Sequence, residues 1–333
     1  MSNHLPEPRA KLIAAKNAAK TSVAIFDLSD RTQVEITGSD RIRFLHSFTS
    51  NDIKRLKPGT GCETFVTNLK GKIVAHVFVF CTEHSLWLDG TPGQQEAIKN
   101  HLSKFVLIDD VQFVCRDVDR GELFLTGPLA TSLLQLDDGM AVGGNVSRKT
   151  GGEPFDVRRV DLFGAPGYLL SIPRTQIDVV KASLISLGVT EGAAELFEFL
   201  RIESGFPRYG WDLTDENLAQ EAARTKQCIS FDKGCYLGQE TIARLDALGH
   251  TNQELRRLRF ETDVVPNSGA VIYNEAGSQE VGIVTSAASG PGENTTETAG
   301  TVIALGLMKR SALSAGTALI LKSGDTVAKG LVL

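Results

Sequence analysis

The sequence has no long apolar run. No window approaches the roughly 20 apolar residues a membrane helix needs, so no membrane span is expected. Met1 to Lys20 contains no apolar stretch of the secretory kind. Glu7 sits among Arg9, Lys11, Lys16 and Lys20, a poor match to an acid-poor transit peptide. The segment reads as a short surface helix, and a cytoplasmic location is expected. A phosphate-cradling G-x-x-x-x-G-K-[ST] loop and a G-x-G-x-x-G turn after a strand are both missing. So is any C-x-x-C, and the six histidines are scattered. Close-spaced soft ligands for zinc or an iron–sulfur cluster are therefore lacking, and no metal is expected. An excess of basic charge is also absent. With a formal charge of −5 the chain is not built to coat a phosphate backbone, and no direct nucleic-acid partner is expected. The five cysteines, Cys62, Cys81, Cys115, Cys228 and Cys235, are odd in number and irregularly spaced. That excludes a disulfide framework and points to free thiols in a reducing compartment.

What is present suits a globular protein of two or three units: 333 residues, 42% apolar and 23% charged. Strand-like runs cover Ser22–Phe26, Thr64–Thr67, Ile73–Phe80, Ser85–Leu88, Val111–Val114 and Gly121–Leu125. A hairpin covers Asp156–Ile172, turning at Gly164-Ala-Pro-Gly167. Helices are predicted over Arg41–His46 behind Ser39-Asp40, over Thr91–Phe105 with Thr91 as N-cap and Pro92 in the first turn, over Thr175–Leu187 and over Gly192–Gly205. This irregular interleaving indicates α+β units. After His250 short strands alternate with Gly, Pro, Asn and Ser clusters, the pattern of a small β-barrel or sandwich. Residues 1–250 are thus expected to form two or more α+β units and 251–333 a β-domain, with Ser289–Gly300 as a loop tip.

Two segments carry chemical information. In Phe231-Asp-Lys-Gly-Cys-Tyr-Leu-Gly-Gln-Glu240 two glycines flank a Cys-Tyr pair, and a helix starting near Gly238 follows. The positive end of that helix and the charge of Lys233 would favour the Cys235 thiolate, the reactive form. Glu240 opposes this if it faces the sulfur, and the alternative is a cysteine serving as a small buried hydrophobe. In Leu200-Arg-Ile-Glu-Ser-Gly-Phe-Pro-Arg-Tyr-Gly-Trp-Asp212, Glu203 falls on one helical stripe with Leu196, Phe199 and Leu200. A carboxylate there needs hydrogen-bond donors. A pterin edge would supply them, and so would Arg201, Arg208 or a backbone N–H.

Lys233-Gly-Cys-Tyr-x-Gly-Gln-Glu240 resembles the signature of the YgfZ family of folate-binding proteins, shared with mitochondrial iron–sulfur assembly factors. Arg201-x-Glu-x-Gly205 with Tyr209-Gly-x-Asp212 resembles the core common to that family and the glycine-cleavage T-protein. Asp40 with Phe44-Leu45, Asn51-Asp52, Gly71-Lys72 and Val281-Gly-Ile-Val-Thr-Ser286 fit as well, so the resemblance spans nearly the whole chain. It implies α+β units in a ring around a folate pocket, with a C-terminal β-barrel. It implies binding of tetrahydrofolate or a one-carbon derivative. It also implies a role in assembling or repairing iron–sulfur enzymes, with client proteins or assembly factors as partners and tRNA modification as a downstream effect. Cys235 and Lys233 become the candidate chemical residues. Glu203, Arg201, Tyr209, Tyr236, Gln239, Glu240 and Arg224 become candidate folate contacts, Arg224 for the glutamyl tail. One departure counts against the alternative, an aminomethyltransferase acting on a lipoyl-bound aminomethyl group. Where T-proteins carry an Asp pair after the Gly-rich turn, this chain has Ala75-His76. A cysteine-nucleophile transferase is a third reading and needs a base near Cys235.

Overall fold

In a computed structural model, residues 7–148, 154–290, 301–324 and 326–333 are described. Part of the expected 289–300 loop tip lies outside them. Two sheets and a barrel make up the fold. A five-stranded antiparallel sheet runs in the order Gly61–Thr67, Ile73–Cys81, Leu86–Gly90, Thr32–Thr37, Gln112–Cys115. A six-stranded sheet runs Thr190–Glu191, Ala24–Asp27, Arg120–Thr126, Gly167–Pro173, Phe155–Val160, Asn145–Arg148. The chain enters the second sheet first, at Ala24–Asp27, and then crosses to the first. The two α+β units are therefore interleaved in sequence. Ile73–Cys81 is apolar except for His76 and almost wholly buried, as a strand covered on both faces must be.

The last strands close a six-stranded barrel in the order Gln253–Glu261, Thr301–Lys309, Glu280–Ser289, Val271–Asn274, Ala318–Ser323, Thr326–Val332. The alternating burial of Gln253–Glu261 reflects the two-residue period of a strand with one face inside. Closure comes from pairing of Leu258 with Val332 and Phe260 with Gly330. Of the barrel and sandwich readings, the barrel is correct.

The helix Ala194–Ser204 is the hub. It packs against the barrel strands Glu280–Ser289 and Thr301–Lys309, against the strand Ala24–Asp27 and against the N-terminal helix Glu7–Thr21. Gly205 ends it at φ +81, a left-handed cap that glycine adopts without steric cost. The N-terminal helix is not merely a surface helix, because Ala15 and Ala18 are buried in the main core and Lys16 lies 4.9 Å over the Phe199 ring. The helix expected from Thr91 begins instead at Gln95. This leaves Thr91 and Pro92 in the preceding turn, where they help to line a cavity.

Candidate functional site

One face of the hub helix, carrying Ala194, Phe197, Glu198 and Arg201, looks into a cavity of about 430 Å³. Its aromatic walls are Phe26, from the first strand, and Phe197 and Phe206, from the hub helix and the turn just after it. Glu198 is its best-held carboxylate. Oε2 accepts from Arg201 Nε at 2.8 Å and Oε1 from Arg208 Nη1 at 3.3 Å. Arg208 also stacks on the half-exposed Trp211, 3.8 Å from the ring centroid. On the other side Arg31 lines the wall and turns its guanidinium to Asp89 and Glu122 in the seam between the two sheets. Burial, and then the neighbouring Asp89, push the Glu122 carboxyl well above the usual carboxylate range. A cavity of this size with aromatic walls and charged side chains in its lining, several of them fixed in ion pairs, suits a planar heterocycle that carries polar edges.

Of the residues expected to bind folate, Arg201 alone lines this cavity. Its guanidinium is committed to Glu198, to Asp212 Oδ2 at 2.8 Å and to Ser286 Oγ at 2.9 Å. Glu203 stands on the opposite helical face, as the spacing requires, but the stripe runs out of the core at the last turn. Its carboxylate is exposed and partnerless among the described residues, and only its carbonyl is engaged, by Arg257. The expected burial of that carboxylate is thus corrected. Tyr209 is a core residue whose hydroxyl donates to the Ile73 carbonyl at 3.1 Å. Tyr236 belongs to the same core, and burial pushes both phenols up to about 12. Gln239 accepts from the Tyr236 backbone N–H at 3.3 Å, and Glu240 is exposed.

The loop around Cys235 is laced onto the five-stranded unit. Ser230 N–H donates to the Ser50 carbonyl, Leu237 N–H to the Ser47 carbonyl, and Thr67 Oγ1 to the Leu237 carbonyl. Gly238, at φ +84, meets the turn at Asn68 to Gly71 so closely that a Cβ would lie 2.3 Å from the Asn68 carbonyl oxygen. Lys233 is the centre of this attachment. Its buried Nζ donates to the carbonyls of His46, Thr49 and Asn51 at 2.6, 2.6 and 2.8 Å. The expectation that Lys233 serves the thiol as a neighbouring charge is corrected: the side chain turns inward, satisfied by three carbonyls, while Cys235 is exposed. The helix Gln239–Leu248 does begin after Gly238. No residue of 231–240 lines the cavity.

Behind Phe206 lies a buried cluster that the sequence did not signal. His76 Nε2 bonds Glu63 Oε1 at 2.6 Å, Cys228 Sγ lies 3.2 Å from the same oxygen, and His76 and Cys228 are 3.8 Å apart. Arg224 forks onto Glu63, with Nη2 at 2.5 Å from Oε2 and Nε on Oε1. It also lies 4.9 Å over the Phe206 ring. Arg224 is accordingly an internal ion-pair partner, not a surface cation. Burial pushes the Glu63 carboxyl up, but His76 and then Arg224 outweigh it and hold it at about 2. Burial and Glu63 push the Cys228 thiol well above the usual range. Scattered Glu, His and Cys donors do converge here. As a metal site the set fits badly, because Arg224 occupies the lone pairs of Glu63 that a cation would need.

Residues 8–233 match the family model described as the GCVT N-terminal domain. The chain belongs to that family. A chloroplastic candidate transferase of Arabidopsis thaliana is 31% identical over 76% of this chain, which spans 60% of that relative's length. An aminomethyltransferase of Prosthecochloris aestuarii is 24% identical over 81% of this chain and 77% of its own. The solved glycine cleavage system aminomethyltransferase T from Bartonella henselae superposes with a TM-score of 0.82. It covers 96% of this chain and 88% of its own at 19% identity, a likeness of fold. No helix among the described residues is long and apolar enough to cross a membrane.

Proposed function

We propose that this GCVT-family protein binds a reduced folate in the cavity beside the hub helix and supports iron–sulfur proteins through the thiol of Cys235. The observation that carries the reading is the contrast between two positions. Cys235 is the one exposed cysteine of five, held outward on a loop laced to the fold. At Ala75-His76, where the transferases carry acids, the imidazole is spent on Glu63 and screened by Phe206. No free carboxylate stands there to assist methylene transfer.

The residues present fit a pterin. Phe26, Phe197 and Phe206 offer ring faces, and Glu198 offers acceptor lone pairs inside an apolar wall. Glu198 replaces Glu203 as the first candidate for the pterin edge, because it lines the cavity, held by Arg201 and Arg208 among the aromatic walls, while Glu203 does not line it. A bound folate would supply or accept a one-carbon unit; Glu198, Arg208 and the aromatic walls would bind and orient it. An exposed thiolate is a soft ligand for iron. The link from Cys235 to assembly or repair of iron–sulfur enzymes, and from there to tRNA modification, rests on the resemblance of its signature. A cytoplasmic location and iron–sulfur clients or assembly factors as partners belong to the same proposal. The test pairs a tetrahydrofolate titration with rescue of iron–sulfur enzyme activity in cells lacking the protein. Cys235→Ser should bind folate normally and fail to rescue. Rescue by the serine variant would refute the thiol role, and no folate binding by the wild type would refute the cavity's assignment.

A further inference from the structure

The Cys235 loop is fastened at one point by a charged group with no carboxylate in contact. Lys233 Nζ has three N–H donors when protonated and meets three backbone carbonyls, all from the 46–51 segment. The match is complete only in the ammonium form. A neutral amine has two donors and a lone pair, so one carbonyl would lose its partner and face that lone pair. Next to Lys233, Gly234 has open space where a Cβ would be, and Cys235, two residues from Lys233, is exposed. The thiol thus sits on a knuckle whose base is this ammonium.

We propose that Lys233 is a positioning residue, whose proton fastens residues 230–237 to the 46–51 segment and fixes the direction in which Cys235 is presented. The proposal rests on the reading that Cys235 acts. Burial, helped by Lys54, outweighs Asp52 and Cys62 and lowers the Lys233 ammonium to about 7. The fastening then weakens as pH rises through that value. The neighbours from each packed element are His46, the pair Asp52 and Lys54, Cys62, and the Tyr236 ring 4.6 Å away. Burial and Lys233 lower His46 to about 4, and burial raises Cys62 and Tyr236 to about 12. None of these three changes charge between pH 6 and 8.5. The sign for the whole protein is opposite to that of the loop. A lysine with a lowered folded pKa adds global stability as pH rises from about 7 towards its ordinary 10.5, while the loop loses its clasp.

The experiment is amide exchange of the full chain by mass spectrometry at pH 6 to 8.5, corrected for intrinsic exchange, with iodoacetamide labelling of Cys235 corrected for thiolate fraction. The neutral fraction of a group titrating at about 7 grows roughly tenfold over this range. Corrected exchange at residues 230–237 should rise by about that factor with its midpoint near 7, while the strand Ile73–Cys81 stays unchanged. Corrected labelling should inflect at the same pH. Lys233→Met should show the high, pH-independent exchange and labelling throughout. A flat wild-type exchange profile overturns the proposal without needing any variant. Wild-type protection retained in Lys233→Met also overturns it, as does labelling that ignores the exchange inflection. Rescue by Cys235→Ser would sink the thiol role while leaving the exchange profile as it is, so the two failures are distinguishable.

Discussion

Arg224→Met tests whether Arg224 belongs to a buried structural network or waits for a ligand. Glu63 is 4% exposed and Arg224 13%, so solvent screens their pair little. The Glu63 carboxyl is held at about 2 instead of its ordinary 4.5. At about 1.4 kcal/mol per pH decade this gap corresponds to about 3 kcal/mol net, what its partners supply beyond the opposing effect of burial. Removing one partner of a buried pair costs about 3–5 kcal/mol, because the other charge is left uncompensated. His76 and Cys228 still donate to Glu63, so the loss should be about 2–3 kcal/mol at pH 7. Urea unfolding followed by fluorescence is a suitable assay. Trp87 is buried in the same sheet, on Leu86–Gly90, while Trp211 is half exposed. The sign with pH follows from the lowered carboxyl. Its contribution is fully present above 4.5 and lost as pH falls towards 2. In Arg224→Met that acid-dependent part should shrink. A loss under about 1 kcal/mol with an unchanged denaturant slope would refute the network argument.

Three further outcomes follow from the site. Glu198→Gln should weaken tetrahydrofolate about tenfold, the effect of losing one charge-assisted hydrogen bond, while Glu203→Gln stays within about twofold; the reverse order in a calorimetric titration would place the pterin on the outer helical face. No methylenetetrahydrofolate should form from an aminomethylated lipoyl carrier protein, because Ala75 and the engaged His76 supply no acid; measurable product would show that another carboxylate does. Mild alkylation at neutral pH should modify Cys235 first. Peptide mapping that finds Cys62 or Cys228 labelled sooner would contradict the burial that pushes their thiols up.

Local signals were legible where a single segment decides the outcome. The helix Ile177–Ser186, with Gly188 at φ +91 behind it, and the alternation along the barrel strands needed no tertiary knowledge. Thr32–Thr37, Asn145–Arg148 and Thr326–Val332 went unread as strands, because it is partners supplied elsewhere in the chain that make these short runs, two rich in polar residues and one broken by Lys329-Gly330, extended. The site was legible only in part. The special character of the Cys235 loop could be seen in its residues, but adjacency in sequence misled about Lys233, whose long side chain crosses the loop to the carbonyls of 46–51. The Glu63–Arg224 pair spans 161 positions, and Phe26 reaches the cavity of Phe197 and Phe206 from the far end of the chain. No periodicity within a segment records such meetings.

The hub helix and the barrel share one polar joint. Arg201 Nη2 donates to Ser286 Oγ, while Thr285 Oγ1 donates to Asp212 Oδ1 at 2.6 Å. Asp212 in turn accepts from Arg201 and from the Arg208 backbone N–H. The family match ends at residue 233, yet the buried charges inside it are completed by two hydroxyls from beyond that limit. A boundary drawn by sequence likeness therefore cuts through a cooperative unit. The matched portion expressed alone would expose Leu196, Phe199 and Leu200 and strip Arg201 and Asp212 of their outer partners. Inheritance and folding partition this chain at different places.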